Sequence, residues 1–131
     1  MNEPSIFTRI INGEIPADKI YEDDRVMAML DIHPLHEGHT LVILKKQIDH
    51  IWDLDDDDYA YLWQMSNKIG KHIRAVLNPP RLGVVVEGFG VPHVHIHLIP
   101  IYKQYDLAMT EADKLRPTPE QFAAMVERLK I

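Results

Sequence analysis

The chain has 131 residues, 46% of them hydrophobic and 26% charged, with a formal net charge of -6 at pH 7. That length suits one domain around one hydrophobic core, and the acidic balance speaks against a general nucleic-acid-binding surface, which would be basic. There is no cysteine, so disulfides and thiolate metal sites are excluded. The opening MNEPSIF lacks a basic segment followed by a long apolar one, and no apolar run approaches a membrane span. The expectation is a cytoplasmic enzyme or binding protein, without membrane or nucleic-acid partners.

Residues 5–12 read as a short helix with Ile6, Phe7, Ile10 and Ile11 apolar, ended by Gly13. Ile15 and Pro16 lead to a short strand at 20–22. Asp23-Asp24 makes a turn, and residues 26–31 form a second strand. Pro34 and Gly38 mark a loop over 33–38. HTLVILK (residues 39–45), apolar and β-branched, is the clearest early strand. The four aspartates at 55–58 start a helix, where acidic side chains favour the positive end of the dipole. Tyr59, Leu62, Trp63, Ile69, Ile73, Val76 and Leu77 then follow helical spacing, and Asn78-Pro79-Pro80 stops it.

Residues 83–86 read as a strand, Gly88 to Gly90 as a turn, and HVHIHLIP (residues 93–100) as a strand antiparallel to the one before it. A last helix spans about 118–130. Thr118 is its N-cap, Pro119 takes its first position, Gln121 completes a capping box, and Phe122, Met125, Val126 and Leu129 are its apolar stripe. Residues 102–117 carry no readable pattern. No repeat or linker divides the chain. The fold class expected is α+β, a mainly antiparallel sheet with helices outside it, in a single domain over residues 1–131.

HVHIHLIP concentrates three of the eight histidines at every second position. On a strand, His93, His95 and His97 would share one face while Val94, Ile96 and Leu98 share the other. At roughly 3.3 Å per residue the outer two lie about 13 Å apart. Three readings compete. The row is a surface of no special role; or it is a metal site completed by His33, His36, His39 or His50. Otherwise it does nucleophilic and acid–base chemistry, since neutral imidazole is a nucleophile near pH 7 and its neighbours can donate to developing negative charge.

The motif His93-Val94-His95-Ile96-His97-Leu98-Ile99 resembles that of the histidine-triad (HIT) nucleotide hydrolases and transferases. IFTRIINGEIPA (residues 6–17), IYEDDRVMAMLDIHP (20–34) and GHTLVILKK (38–46) look like the N-terminal half of the branch that includes the Hint-type phosphoramidases. The resemblance implies a HIT-like fold and hydrolysis at the α-phosphate of a purine nucleotide conjugate of the adenosine phosphoramidate type. The alternatives it leaves are a diadenosine polyphosphate hydrolase and a nucleotide-binding sensor with vestigial catalysis.

By the same resemblance, His95 would attack the α-phosphorus and form a nucleotidyl-histidine. His97 would donate to phosphate oxygens, and His93 would orient the nucleophile or contact the phosphate region. His39 would support the triad from the adjacent strand. Asp31 would bind the ribose hydroxyls, and Ile6, Phe7, Ile10, Leu30, Ile32 and Leu41 would form the base pocket. An acid accepts two hydroxyl donors, and a purine needs flat apolar walls. An AMP-like purine nucleotide is the implied ligand, and a homodimer pairing through the long helix and an edge strand is the implied assembly.

The chain also departs from the pattern. Many bacterial members bind zinc through Cys-x-x-Cys before the first helix and a histidine after the lysine-rich strand end. Here those positions read Ser5, Thr8 and Gln47, so neither metal nor other cofactor is expected. Relatives often carry a longer Gly-rich loop with a Ser or Thr phosphate contact, where this chain has VEGFGVPH (residues 86–93). Val86 makes no polar contact, so Gly88 and Gly90 are the candidates to offer backbone N–H groups to phosphate.

Overall fold

Helix α1 (Ile6–Ile11) forms where Ser5 caps it: the Ser5 hydroxyl accepts the Thr8 N–H, and Phe7 and Ile10 are buried. The computed structural model describes residues 3–108 and 111–131. After α1 come β1 (Lys19–Glu22), β2 (Val26–Leu30) and β3 (Thr40–Leu44), then the long helix α2 (Asp56–Leu77). β4 (Arg81–Val85), β5 (His95–Ile101) and α3 (Pro119–Leu129) follow. The strands form one sheet in the order β1-β2-β3-β5-β4 with every neighbouring pair antiparallel. The α+β class expected is the one observed.

β3 lies at the centre and all five of its residues are buried, which is why its sequence is apolar without alternation. Val42 and Leu44 point to one face with Val26, Ala28, Leu30, Ile96 and Leu98, and α2 covers them with Leu62, Met65, Ile69 and Ile73. Each such fully buried aliphatic side chain contributes roughly 1.5–3 kcal/mol. Leu41 and Ile43 point to the opposite face with Met27 and Met29, against Phe7 and Ile10 of α1. The pairings His95↔Ile43 and His97↔Leu41 place both histidines on the α1 face.

The aspartate run behaves as a helix start. Asp55 is the N-cap and accepts the Asp58 N–H, while buried Asp58 is held by Arg25 at 3.0 Å and Lys46 at 2.8 Å. Asn78 closes α2 in the left-handed conformation. In the 33–38 loop, Gly38 has φ +87°, and a Cβ there would meet Leu77 Cδ1 at 2.3 Å, so only glycine fits. α3 begins with the capping box of Thr118 and Gln121 and packs on the α2 side, with Leu129 fully buried.

The structure corrects the reading in three places. β5 begins at His95, not His93, because residue 93 leaves the ladder: its N–H donates to Val91 O, and the Val94 N–H donates to Ile48 O. Pro92, with its fixed φ and missing donor, turns the chain there. β4 begins two residues earlier, at Arg81. Residues 102–117 contain two short 3-10 turns, Asp106–Ala108 and Glu111–Asp113, and return to the domain through the Leu115 N–H on Pro34 O at 2.8 Å. Among the described residues, no helix is long and apolar enough to cross a membrane.

Candidate functional site

Between α1, the α1 face of the sheet and the 86–91 loop lies a cavity of about 420 Å³. Of the residues singled out in the sequence, Ile6, Phe7, Ile10, Ile32, Leu41, Asp31, Gly88, Gly90, His95 and His97 line it. Gly88 has φ +85°, and a side chain at Gly88 or Gly90 would meet only open space, so both stand at the rim.

Backbone carbonyls and amides determine which nitrogen of each ring carries the proton. The Leu35 N–H donates to His39 Nδ1 at 3.1 Å, so His39 carries its proton on Nε2 and donates it to His97 Nδ1 at 2.9 Å. His97 then holds its own proton on Nε2. His95 Nδ1 lies 2.7 Å from His93 O, an acceptor only, so Nδ1 bears the proton and Nε2 an unshared pair. His93 Nε2 lies 2.6 Å from Leu44 O, so its Nδ1 is an acceptor, facing the Ser5 hydroxyl at 2.6 Å. The result is a lone pair on His95 beside a donor on His97, with ring centroids 4.9 Å apart.

Burial pushes the pKa of all four imidazoles down. His39 and His97 fall to about 4, desolvation being the largest cause for each. His93 and His95 are lowered for the same reason, against the hydrogen bonds to Leu44 and His93 carbonyls. The nucleophilic form of His95 is therefore its ordinary form near neutrality. Phe7 stands edge-on to His95 at 4.9 Å, which ties α1 to this ring. Asp31 Oδ1 accepts the His33 N–H at 2.8 Å, and its Oδ2 lies 3.5 Å from His39 Nε2.

Two residues sit differently from the expectation. His93 is fully buried and does not line the cavity, so it touches no phosphate there; its carbonyl meets His95 Nδ1, which accords with the orienting alternative of the two roles expected for it. Leu30 only edges the cavity, because strand alternation turns its side chain into the core beneath α2. Its neighbour Met29 points to the α1 face instead. Glu87 and Lys114 also line the cavity and were not singled out from the sequence. Lys114 lies in the stretch without periodicity, and nothing local marks it.

Asp31, His39 and His97 are close enough to share a metal ion. The Leu35 amide argues against it: with Nδ1 accepting, His39 Nε2 keeps its proton, and that proton occupies the space between the rings. The Ser5, Thr8 and Gln47 positions do converge, around His93. Gln47 Oε1 accepts the Ser5 N–H at 2.7 Å and the Thr8 hydroxyl at 2.6 Å, and Gln47 Nε2 donates to Glu3 O. Hydroxyls and an amide oxygen are poor zinc donors beside thiolate and imidazole, and Ser5 already occupies His93 Nδ1. Zinc does not fit this set. Elemental analysis of the purified chain is expected to find no stoichiometric zinc, and chelators are expected to leave its activity unchanged.

A five-stranded antiparallel sheet that presents two histidines of an H-x-H-x-H motif beside an apolar cavity defines a histidine-triad domain. The HIT domain model matches residues 12–104, and the chain belongs to this family. It is similar to "Protein hit" of Bacillus subtilis, with 36% identity over 124 residues covering 88% of this chain and 86% of that protein. It is also similar to the crystal structure of a HIT-like protein involved in cell-cycle regulation from Bartonella henselae, solved with an unknown ligand. That likeness has a TM-score of 0.84 at 28% identity, over 99% of this chain and 97% of that one. A zinc-bound histidine-triad family protein from Mycobacterium smegmatis gives a TM-score of 0.73 at 26% identity, over 95% and 91% of the two chains.

Proposed function

We propose that this protein binds a purine nucleotide and hydrolyses a conjugate at its α-phosphate through a nucleotidyl intermediate on His95. The observation that carries the reading is the bond from His95 Nδ1–H to His93 O at 2.7 Å, which leaves Nε2 as a lone pair in the cavity wall. Nε2 attacks phosphorus and forms a P–N bond as the bond to the leaving group breaks; the leaving amine departs with a proton from solvent. Water then attacks phosphorus, the P–Nε2 bond breaks, and the mononucleotide leaves as the water proton passes to solvent. The His97 Nε2–H and the amides at Gly88 and Gly90 hold the phosphate charge, and His39 holds His97 in the donating tautomer.

The base lies against Phe7, Ile10, Leu41, Ile6 and Ile32, with Asp31 on the ribose hydroxyls. The upstream resemblance favours an amine leaving group over a nucleotide. Separate incubation with adenosine phosphoramidate and diadenosine tetraphosphate, followed by chromatography, tests this. AMP release from the phosphoramidate is the expected result. Tight AMP binding without turnover of either compound would instead support a sensor.

We also propose a homodimer along β4 and α2. β4 is an outer strand whose outer edge is unpaired among the described residues, and Val84 on it is half exposed. Trp63 and Leu82 line the neighbouring depression, and the buried Trp63 indole N–H has no partner among the described residues. An exposed edge of this kind is a template for strand pairing. Light scattering at micromolar concentration is expected to give twice the chain mass; a monomeric mass would sink the proposal.

A further inference from the structure

We infer that Ser5 is a positioning residue: with Thr8 and Gln47 it clamps His93, and through the His93 carbonyl it holds His95 in the tautomer that attacks. The catalytic consequence rests on the proposed role of His95. The clamp itself rests on geometry.

His93 lies outside the sheet ladder, whose pairings with β3 reach only as far as His95. No ladder hydrogen bond therefore fixes the direction of its carbonyl. Two other restraints do. The ring is pinned at both ends, by the Ser5 hydroxyl on Nδ1 at 2.6 Å and by Leu44 O on Nε2 at 2.6 Å. The peptide unit that carries this carbonyl is itself pinned, by the Val94 N–H on Ile48 O at 2.7 Å. Both restraints trace to the turn after β3. Ile48 supplies the carbonyl, and Gln47 beside it holds the Ser5 N–H and the Thr8 hydroxyl with one oxygen.

The arrangement directs every proton one way. Thr8 commits its hydroxyl proton to Gln47, so the Ser5 hydroxyl is the donor to His93 Nδ1, while Ser5 Oγ accepts the Thr8 N–H. Ser5 and His93 are both buried, so water does not substitute readily for a lost partner. In this chain neutral hydrogen bonds cross-link the start of α1 to the triad, and Phe7 of the same helix stands edge-on to His95.

Removing the Ser5 hydroxyl frees one end of the His93 ring and leaves its carbonyl held by the Val94 peptide and the Leu44 contact alone, so the bond to His95 Nδ1 loosens. The His95 proton then divides between Nδ1 and Nε2, and the fraction able to attack falls. Two variants separate this from helix capping. Ser5→Gly loses the hydroxyl but retains much of the N-cap preference, and Thr8→Val keeps the Ser5 cap and the Ser5 N–H on Gln47 while removing the Thr8 hydroxyl bond to Gln47.

Long-range proton–nitrogen NMR of the full chain reads the tautomers directly, without substrate. Wild type is expected to show His95 as Nδ1–H and His93 as Nε2–H. Ser5→Gly is expected to show a mixture at His95, with Ser5→Thr restoring the wild-type pattern. His95 remaining wholly Nδ1–H in folded Ser5→Gly would overturn the inference. In single-turnover assays with adenosine phosphoramidate, adduct formation should slow about tenfold in Ser5→Gly, with AMP affinity within about threefold of wild type. An unchanged adduct rate would likewise overturn it. A wild-type chain that forms no adduct would refute the nucleotidyl intermediate, while the NMR measurement would still decide the clamp.

Discussion

Replacing His95 with alanine is expected to lower turnover on the order of 10⁴-fold or more, the scale on which covalent triads lose their nucleophile. AMP affinity is expected to stay within about threefold, because the apolar cavity wall and Asp31 lie on other elements and are untouched. The loss arises because no neighbour can replace Nε2 of His95. His93 is sealed in the core with both ring nitrogens engaged, and His97 presents a proton where the nucleophile needs a lone pair. His97→Ala removes a charge-stabilising donor and leaves the nucleophile, so a smaller loss of about 10²–10³-fold is expected. Asp31→Ala should weaken AMP binding about tenfold and slow the chemical step less, since its carboxylate would serve the ribose. Peptide mass spectrometry of quenched wild-type enzyme should place the nucleotidyl adduct on His95. An adduct on another residue, or undiminished turnover in His95→Ala, would refute the mechanism.

What could be read from the sequence was whatever the chain writes locally. β3 announces itself because a strand buried on both faces needs apolar residues throughout, and HTLVILK supplies them. α3 does so because its capping box spans only four residues. The histidine motif located two of the three rings on the cavity face for the same reason: alternation is a local property. His93 escaped the rule because its place is decided by Pro92, Ile48 and Leu44, the last two far away in sequence. The absence of zinc ligands at Ser5, Thr8 and Gln47 was legible. Their replacement by a hydrogen-bonded clamp was not, since Ser5 meets His93 across 88 positions. Leu30 and Met29 exchange roles for a similar reason. Both are apolar neighbours on one strand, and only the pairing of β2 with β3 shows which faces the cavity.

Acidification between pH 6.5 and about 4.5 is expected to destabilise the fold. In the unfolded chain His39 and His97 take up protons near 6.5, whereas burial in the folded state lowers both to about 4. Below pH 6.5 the unfolded chain binds protons that the folded chain refuses, so the equilibrium shifts towards unfolding. The stabilisation is complete above 6.5, falls through the interval and is gone below about 4. A tenfold change in proton affinity corresponds to about 1.4 kcal/mol, so the first proton on these two facing rings costs on the order of 3 kcal/mol over the full window. Two contacts add to the burial. A proton added to His97 Nδ1 would face the His39 Nε2–H, and one added to His39 Nδ1 would face the Leu35 N–H. The lowered carboxylates respond in a more acidic range, Asp23 reaching about 2, so the upper part of the window belongs to the histidines. Urea unfolding at pH 7 and pH 4.5 measures the difference. His97→Gln should shrink it, because a neutral amide takes no proton in either state. Wild type equally stable at the two pH values would show that the buried pair does not resist protonation, and with it would fall the expectation that His97 stays a neutral donor in weak acid.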